Sequence, residues 1–212
     1  MSVEVIIIDQ KAQFFPEFNA MVAVTAAFCI AVDLHVTGYI NYQPGDFATL
    51  QGHLLKRNVR LPLVGPIAAA LADRLPDSFH ITVEDSKPAA TPLAHTFQGR
   101  TLRSSLTAIF HPMIVNYFEK HMSQLKAKFG SDRTAWPAAW QMGWLVRNGL
   151  SHGNKIYFER ATAKPVAWQG VTLGPTDNGR QLVLEILNHA DLLLLLFEME
   201  DTLFTPLARC AT

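Results

Sequence analysis

Apolar residues fall along this chain in blocks with helical spacing, separated by short breaks that carry proline and glycine. Pro16-Glu17 opens the first block, which runs to about Tyr42 and is almost wholly apolar over residues 20–32. Pro44-Gly45-Asp46 stops it and caps a second helix over residues 47–57; Pro62, Gly65 and Pro66 then precede a short Ala-rich helix, 67–74. A long helix is predicted over 97–129, bent at Pro112, and Gly130-Ser131-Asp132 separates it from a Trp-rich block. That block, residues 136–146, is apolar around nearly the whole helical circumference, the pattern of a helix buried on all sides. The last helix is predicted over 180–203, with Asp177 or Asn178 as its cap. Strand signals are fewer. Residues 3–8 read as an edge strand, 79–83 alternate, and 155–159 with 166–168 read as a hairpin that 171–173 extends. The expectation is one all-α domain over 1–212, mainly a helical bundle, with a hairpin elaboration over 154–174 between the Trp-rich helix and the C-terminal one.

Composition narrows the class. With 49% hydrophobic and 17% charged residues, 212 residues bury a full core and are not disordered. Eighteen basic and eighteen acidic residues cancel, so there is no global field to hold a long nucleic-acid backbone, and any such contact must be a local patch. Cys29 and Cys210 have no metal-ligand spacing and suit reduced thiols, which points to the cytoplasm. The apolar run 20–32 is too short to span a bilayer and meets Asp33 and His35 at once. Residues 192–197 follow Asp191 and precede Glu198 and Glu200, so no membrane is expected there either. Both runs are candidates for helix packing, and so much apolar surface with so few charges predicts a homodimer.

The chemistry concentrates in Arg147-Asn148-Gly149-Leu150-Ser151-His152, at the end of the Trp-rich helix. An unpaired guanidinium buried there would cost several kcal/mol, so Arg147 needs an anionic partner or an opening onto a cleft. On an ideal helix Arg147 and His152 lie about 140° apart, whereas Asn148 and His152 share a face at i, i+4. Two solutions bring Arg147 and His152 to one atom: Gly153-Asn154 ends the helix and lets His152 swing back, or a second copy supplies the complementary group.

Arg147-Asn148, the spacing to His152 and the Gly153 that follows resemble the R-N-x-x-x-H signature of HEPN domains, small all-helical dimers found in prokaryotic toxins, CRISPR effectors and RNA-processing enzymes. The last third of the chain carries the resemblance. It implies that Arg147 and His152 of two subunits face each other across a cleft and cleave single-stranded RNA without a metal or other cofactor, leaving a 2′,3′-cyclic phosphate. It also implies that Asn148 and Ser151 contact the substrate, and that a cognate antitoxin is a candidate partner. The alternative is a HEPN-like dimer that binds a nucleotide, RNA or a protein without cleaving it.

The other constellations are weaker. Asp33 or His35 could pair with Arg147 or simply end a helix in water. His111, His121 and His189 read as ordinary, partly exposed histidines. Lys56, Arg57 and Arg60, with Arg100 and Arg103, could hold RNA phosphates or form a solvated helix end. Trp136, Trp140 and Trp144 read as core. Gly-rich phosphate loops, nucleophile elbows and paired Cys or His metal motifs are missing from the sequence.

Overall fold

The computed structural model describes residues 3–37, 42–86 and 100–211, and the side chains of all of these except 33, 35–37 and 100–105. The elements in chain order are β1 (Val3–Asp9), α1 (Phe15–Thr37), β2 (Phe47–Gln51), β3 (Arg57–Pro62), α2 (Val64–Leu71), β4 (Ser78–Asp85), α3 (Arg100–Phe129), α4 (Ala138–Ser151), β5 (Val166–Trp168), β6 (Val171–Leu173), α5 (His189–Leu203) and β7 (Ala208–Ala211). Five of the strands form one antiparallel sheet in the order β2-β3-β4-β1-β7, and β5 and β6 form a separate hairpin. The architecture is therefore mixed α/β, which corrects the expected all-α bundle.

The correction starts at residues 47–62. Expected as a helix, they form a hairpin in which Ala48 and Leu50 point inward with Val59 and Leu61, while Phe47 and Gln51 face solvent. The turn depends on Gly52, because a Cβ there would stand 2.1 Å from the Arg57 carbonyl oxygen. The basic stretch that follows lies in a strand, so its side chains alternate. Arg60 donates to Glu84 at 2.8 Å and covers the Phe47 ring at 4.4 Å on the solvent face, whereas Arg57 donates to Glu4 at 3.1 Å on the inner face. These two arginines are engaged by acids of their own sheet and do not form an open phosphate patch. Arg100 and Arg103 have side chains outside the described residues, as do Asp33 and His35.

β1 is flanked by β4 on one side and β7 on the other, so it is not the edge strand expected from residues 3–8. The inner face of the sheet, with Ile6, Ile8, Val59, Phe79, Ile81 and Val83, packs toward α1 and α5. α5 is the helix buried all round: from His189 to Phe197 every residue is buried. It begins later than expected because residues 180–188 form an irregular segment with Leu184 at φ 83°. That segment is pinned by Asn154, whose carboxamide accepts from Val183 N and donates to Val183 O, both at 2.8 Å. The expected pairing of 155–159 with 166–168 is also replaced. Ile156 exchanges backbone bonds with Gly179 and Arg180, and Asn178 brackets the Phe158 peptide at 2.7 and 3.0 Å.

α1 contains the 18-residue stretch Phe15–Val32 of mean hydropathy 1.6, longer than the short run read from the sequence and long enough by length and composition to cross a membrane. In the fold it turns Phe15, Phe18, Met21, Val22, Ala26 and Cys29 into the core and packs on α2, α3 and β3, which is consistent with a soluble protein.

Candidate functional site

α4 buries Ala139, Trp140, Met142, Gly143, Leu145, Val146, Gly149 and Leu150. The positions between them, Gln141, Trp144, Arg147, Asn148 and Ser151, form a continuous stripe reached by solvent. The helix is thus not enclosed on all sides, and the stripe runs directly into the candidate motif. Trp136 and Trp140 belong to the core as expected, with the Trp140 Nε1 donating to the Met199 carbonyl at 3.0 Å. Trp144 sits on the stripe, where the Arg133 guanidinium stacks 3.5 Å from its ring.

Arg147 finds an acid on its own chain. Its Nε and one terminal nitrogen, Nη2, both lie 2.5 Å from Glu119 Oε1 of α3, and the other terminal nitrogen, Nη1, donates to Asn148 Oδ1 at 3.0 Å. The pair is open to water, with side-chain exposures of 35% and 47%. Solvated pairs of this kind stabilise by roughly 0–1 kcal/mol, so stability alone gives little reason for the cation, and exchange of Glu119 for another anion costs little. Glu119 was not anticipated from the sequence. The signal for it would have been the packing of two neighbouring helices, α3 and α4.

His152 ends the helix. Its N–H is shared between the Asn148 and Gly149 carbonyls at 3.0 and 3.1 Å, and Gly153 and Asn154 then take φ of 71° and 63°, turning the chain away. The imidazole is exposed and leans on Tyr157, ring centroids 5.1 Å apart; neither ring nitrogen bonds another described residue. Ser151 is exposed one residue earlier. Arg147 and Asn148 are joined directly through their side chains, while the His152 imidazole makes no hydrogen bond to either side chain. Gly149 has a packing role: a Cβ would meet Leu182 Cδ2 at 2.8 Å and the Lys155 carbonyl at 3.2 Å, so a small residue lets the motif end of α4 sit close on the 155–182 segment.

Two buried carboxylates escaped the sequence reading. Asp191, fully buried in the first turn of α5, accepts from the backbone N–H of His53, Leu54, Leu55 and Asn188 at 2.9–3.1 Å. Glu200 accepts from the Tyr117 hydroxyl at 2.7 Å and Gln13 N at 2.9 Å, and burial holds its carboxyl above the usual range. The same burial, with Glu200 beside it, pushes the Tyr117 phenol up. Both acids are closed to solvent and tie elements together. His121 and His189 are buried too, contrary to expectation; the His121 ring lies between Tyr117 and Phe204, and burial lowers its pKa. Among the described residues no three His, Cys, Asp or Glu side chains cluster as metal ligands. Comparison with family models, curated proteins and solved structures finds no match, so any functional reading rests on the residues of the site itself.

Proposed function

We propose that this protein is a metal-independent ribonuclease that acts on single-stranded RNA as a homodimer in the cytoplasm. The observation that carries the reading is the solvent-open stripe at the end of α4, in which Arg147, Asn148, Ser151 and His152 stand together, with Arg147 held by an exposed ion pair and by the Asn148 side chain. The R-N-x-x-x-H resemblance, carried by the last third of the chain, supports it. RNA carries its own nucleophile. His152 takes the proton of the 2′-hydroxyl, the 2′-oxygen attacks phosphorus, and the bond from phosphorus to the 5′-oxygen breaks. Arg147 leaves Glu119 and presents its fork to the phosphorane oxygens, with Asn148 orienting the guanidinium through the bond it already makes. The 5′-oxygen receives its proton from an imidazolium, supplied by His152 of the second copy. Products are a 2′,3′-cyclic phosphate and a 5′-hydroxyl.

A second reading, binding of a nucleotide or RNA without cleavage, draws on Glu119, which neutralises Arg147 in the resting state. One experiment separates the two. End-labelled single-stranded RNA is incubated with the purified protein in excess chelator, and the product ends are identified, while light scattering gives the mass in solution. Cleavage to cyclic phosphate ends by a dimer, reduced ~10²–10³-fold or more in Arg147→Ala and His152→Ala, is the expected result. Cleavage that survives in His152→Ala overturns the assignment of the base. Saturable binding with intact RNA favours the second reading, and a monomer at micromolar concentration removes the two-copy site.

A further inference from the structure

The α4 stripe carries a second guanidinium besides that of Arg147. Arg133, in the short turn that precedes α4, is only part-buried; it lies over the Trp144 ring at 3.5 Å and makes no hydrogen bond or ion pair to any described residue. Asp132, its neighbour in sequence, is engaged elsewhere: the carboxylate accepts from the Thr134 N–H and hydroxyl at 2.9 Å each and so caps the turn, with Lys164 as a second cation near it. The indole thus fixes the Arg133 guanidinium as a flat cation whose N–H groups bond nothing among the described residues. A guanidinium plane seated on a ring offers its other face to a nucleobase.

A second planar group stands at the other end of the stripe. Tyr157 is 46% exposed and leans on His152, ring centroids 5.1 Å apart. The next residue turns inward: Phe158 is buried and meets the Trp144 ring edge-on at 6.1 Å, while Asn178 clamps its peptide at 2.7 and 3.0 Å. One clamped dipeptide therefore ties the two aromatic positions together. Arg147 comes between them along the helix, for a rise of ~1.5 Å per residue puts Trp144 and His152 about 12 Å apart with Arg147 at a level about 4.5 Å from Trp144. Stacked bases are only about 3.4 Å apart, so this separation suits two bases pulled away from each other around one phosphate. In-line displacement asks for that conformation: the attacking 2′-oxygen must stand opposite the departing 5′-oxygen, and a continuously stacked step holds it off that line. Bases taken out of a stack are recognised by aromatic rings and guanidinium planes.

We propose that the Arg133–Trp144 stack and Tyr157 hold the two bases on either side of the scissile phosphate, so that the substrate is a step of two unpaired nucleotides. The 5′ base lies on the open face of Tyr157, which brings its ribose 2′-hydroxyl beside His152, and the 3′ base lies on the outer face of the Arg133 guanidinium. That assignment rests on the ribonuclease reading, whereas binding is measured without cleavage. The probe is a fluorescein-labelled single-stranded 2′-O-methyl RNA hexamer, which has no 2′-hydroxyl proton to give up, titrated with the full chain by anisotropy beside its abasic counterpart and its duplex. Arg133→Lys keeps the charge and removes the plane; Tyr157→Leu removes the ring and Tyr157→Phe keeps it. The expected result is saturable binding of the single strand, about tenfold or more tighter than of the duplex or the abasic strand. It is weakened about tenfold or more in Arg133→Lys and in Tyr157→Leu and unchanged in Tyr157→Phe, with melting curves of all three variants close to wild type. Unchanged affinity in Arg133→Lys or Tyr157→Leu, equal binding of the abasic strand or the duplex, or no saturable binding overturns the proposal, even where unmodified RNA is cleaved. Binding of the expected pattern with unmodified RNA left intact overturns cleavage alone and keeps the two platforms as a single-strand binding site.

Discussion

Replacing Asp191 tests whether one buried carboxylate joins the two layers of the molecule. Its Oδ2 accepts from His53, Leu54 and Asn188 and its Oδ1 from Leu55, all at 2.9–3.1 Å, so one side chain satisfies three amides of the β2–β3 turn and that of Asn188, the residue that caps α5. Hydrogen bonds to a charged group contribute about 1.5–3 kcal/mol each, but the turn amides are only part-buried and regain water when released, so about 1 kcal/mol apiece is the better scale. Asp191→Ala is therefore expected to lose about 4 kcal/mol. In a protein of this size that is a fall in Tm of roughly 8–16 °C. Asp191→Asn offers a sharper comparison. Its amide oxygen can keep the three bonds now made by Oδ2, while its NH2 group faces the Leu55 N–H, so a loss of only about 1–3 kcal/mol is expected. Urea titrations followed by circular dichroism, with equal slopes to exclude a changed denatured state, give both numbers. If Asp191→Ala loses less than about 1 kcal/mol, the turn amides are satisfied by water and the link carries no weight.

Glu200 predicts an inverted acid response. Because burial raises its native pKa, the native state binds more protons than the unfolded one between the ordinary carboxylate range and the raised value, so its contribution to stability is greatest below that window and falls as pH rises through it. The Tm of the wild type relative to Glu200→Gln should decline as pH rises above the ordinary carboxylate range, and a difference that grows over that rise contradicts the sign. Gly149→Val drives a side chain into Leu182 and is expected to destabilise by about 1–3 kcal/mol, lowering RNA cleavage with it; a Tm at or above wild type shows that the segment after α4 yields freely.

The stretches legible from sequence were those whose environment is set locally. α1, α3 and α4 have long apolar periodicity, α3 and α4 have their stops at Gly130 and Gly153, and β1 and β4 are β-branched or alternating. The misread stretches are those where partners distant in sequence decide. Phe47, Leu50 and Leu54 repeat at helical spacing, and only pairing of β2 with β3 selects the strand, in which Ala48 and Leu50 face inward. Leu182, Val183, Ile186 and Leu187 continue the apolar pattern of α5, yet the Asn154 carboxamide claims the Val183 backbone and breaks the helix. β7 is exposed along its whole length and has no buried face to announce it. At the candidate site, the exposure of Arg147 and the turn after His152 follow from the motif's own residues, whereas Glu119 and Tyr157 arrive through packing of α3 and of the segment after α4.

The place of β7 in the sheet bears on how the chain is made. Glu4 stands opposite Ala211, so the last pairing of the sheet joins strands synthesised about 200 residues apart, which at 5–20 residues per second leaves one edge of β1 open for roughly 10–40 s on the ribosome. During that interval the backbone of a Val- and Ile-rich strand is a template for another nascent chain. Once β7 docks, the exposed edge becomes a four-residue strand carrying Arg209, too short and too charged to recruit a neighbour. Slower elongation or crowded polysomes should therefore lower the soluble yield of this protein more than a modest loss of equilibrium stability would.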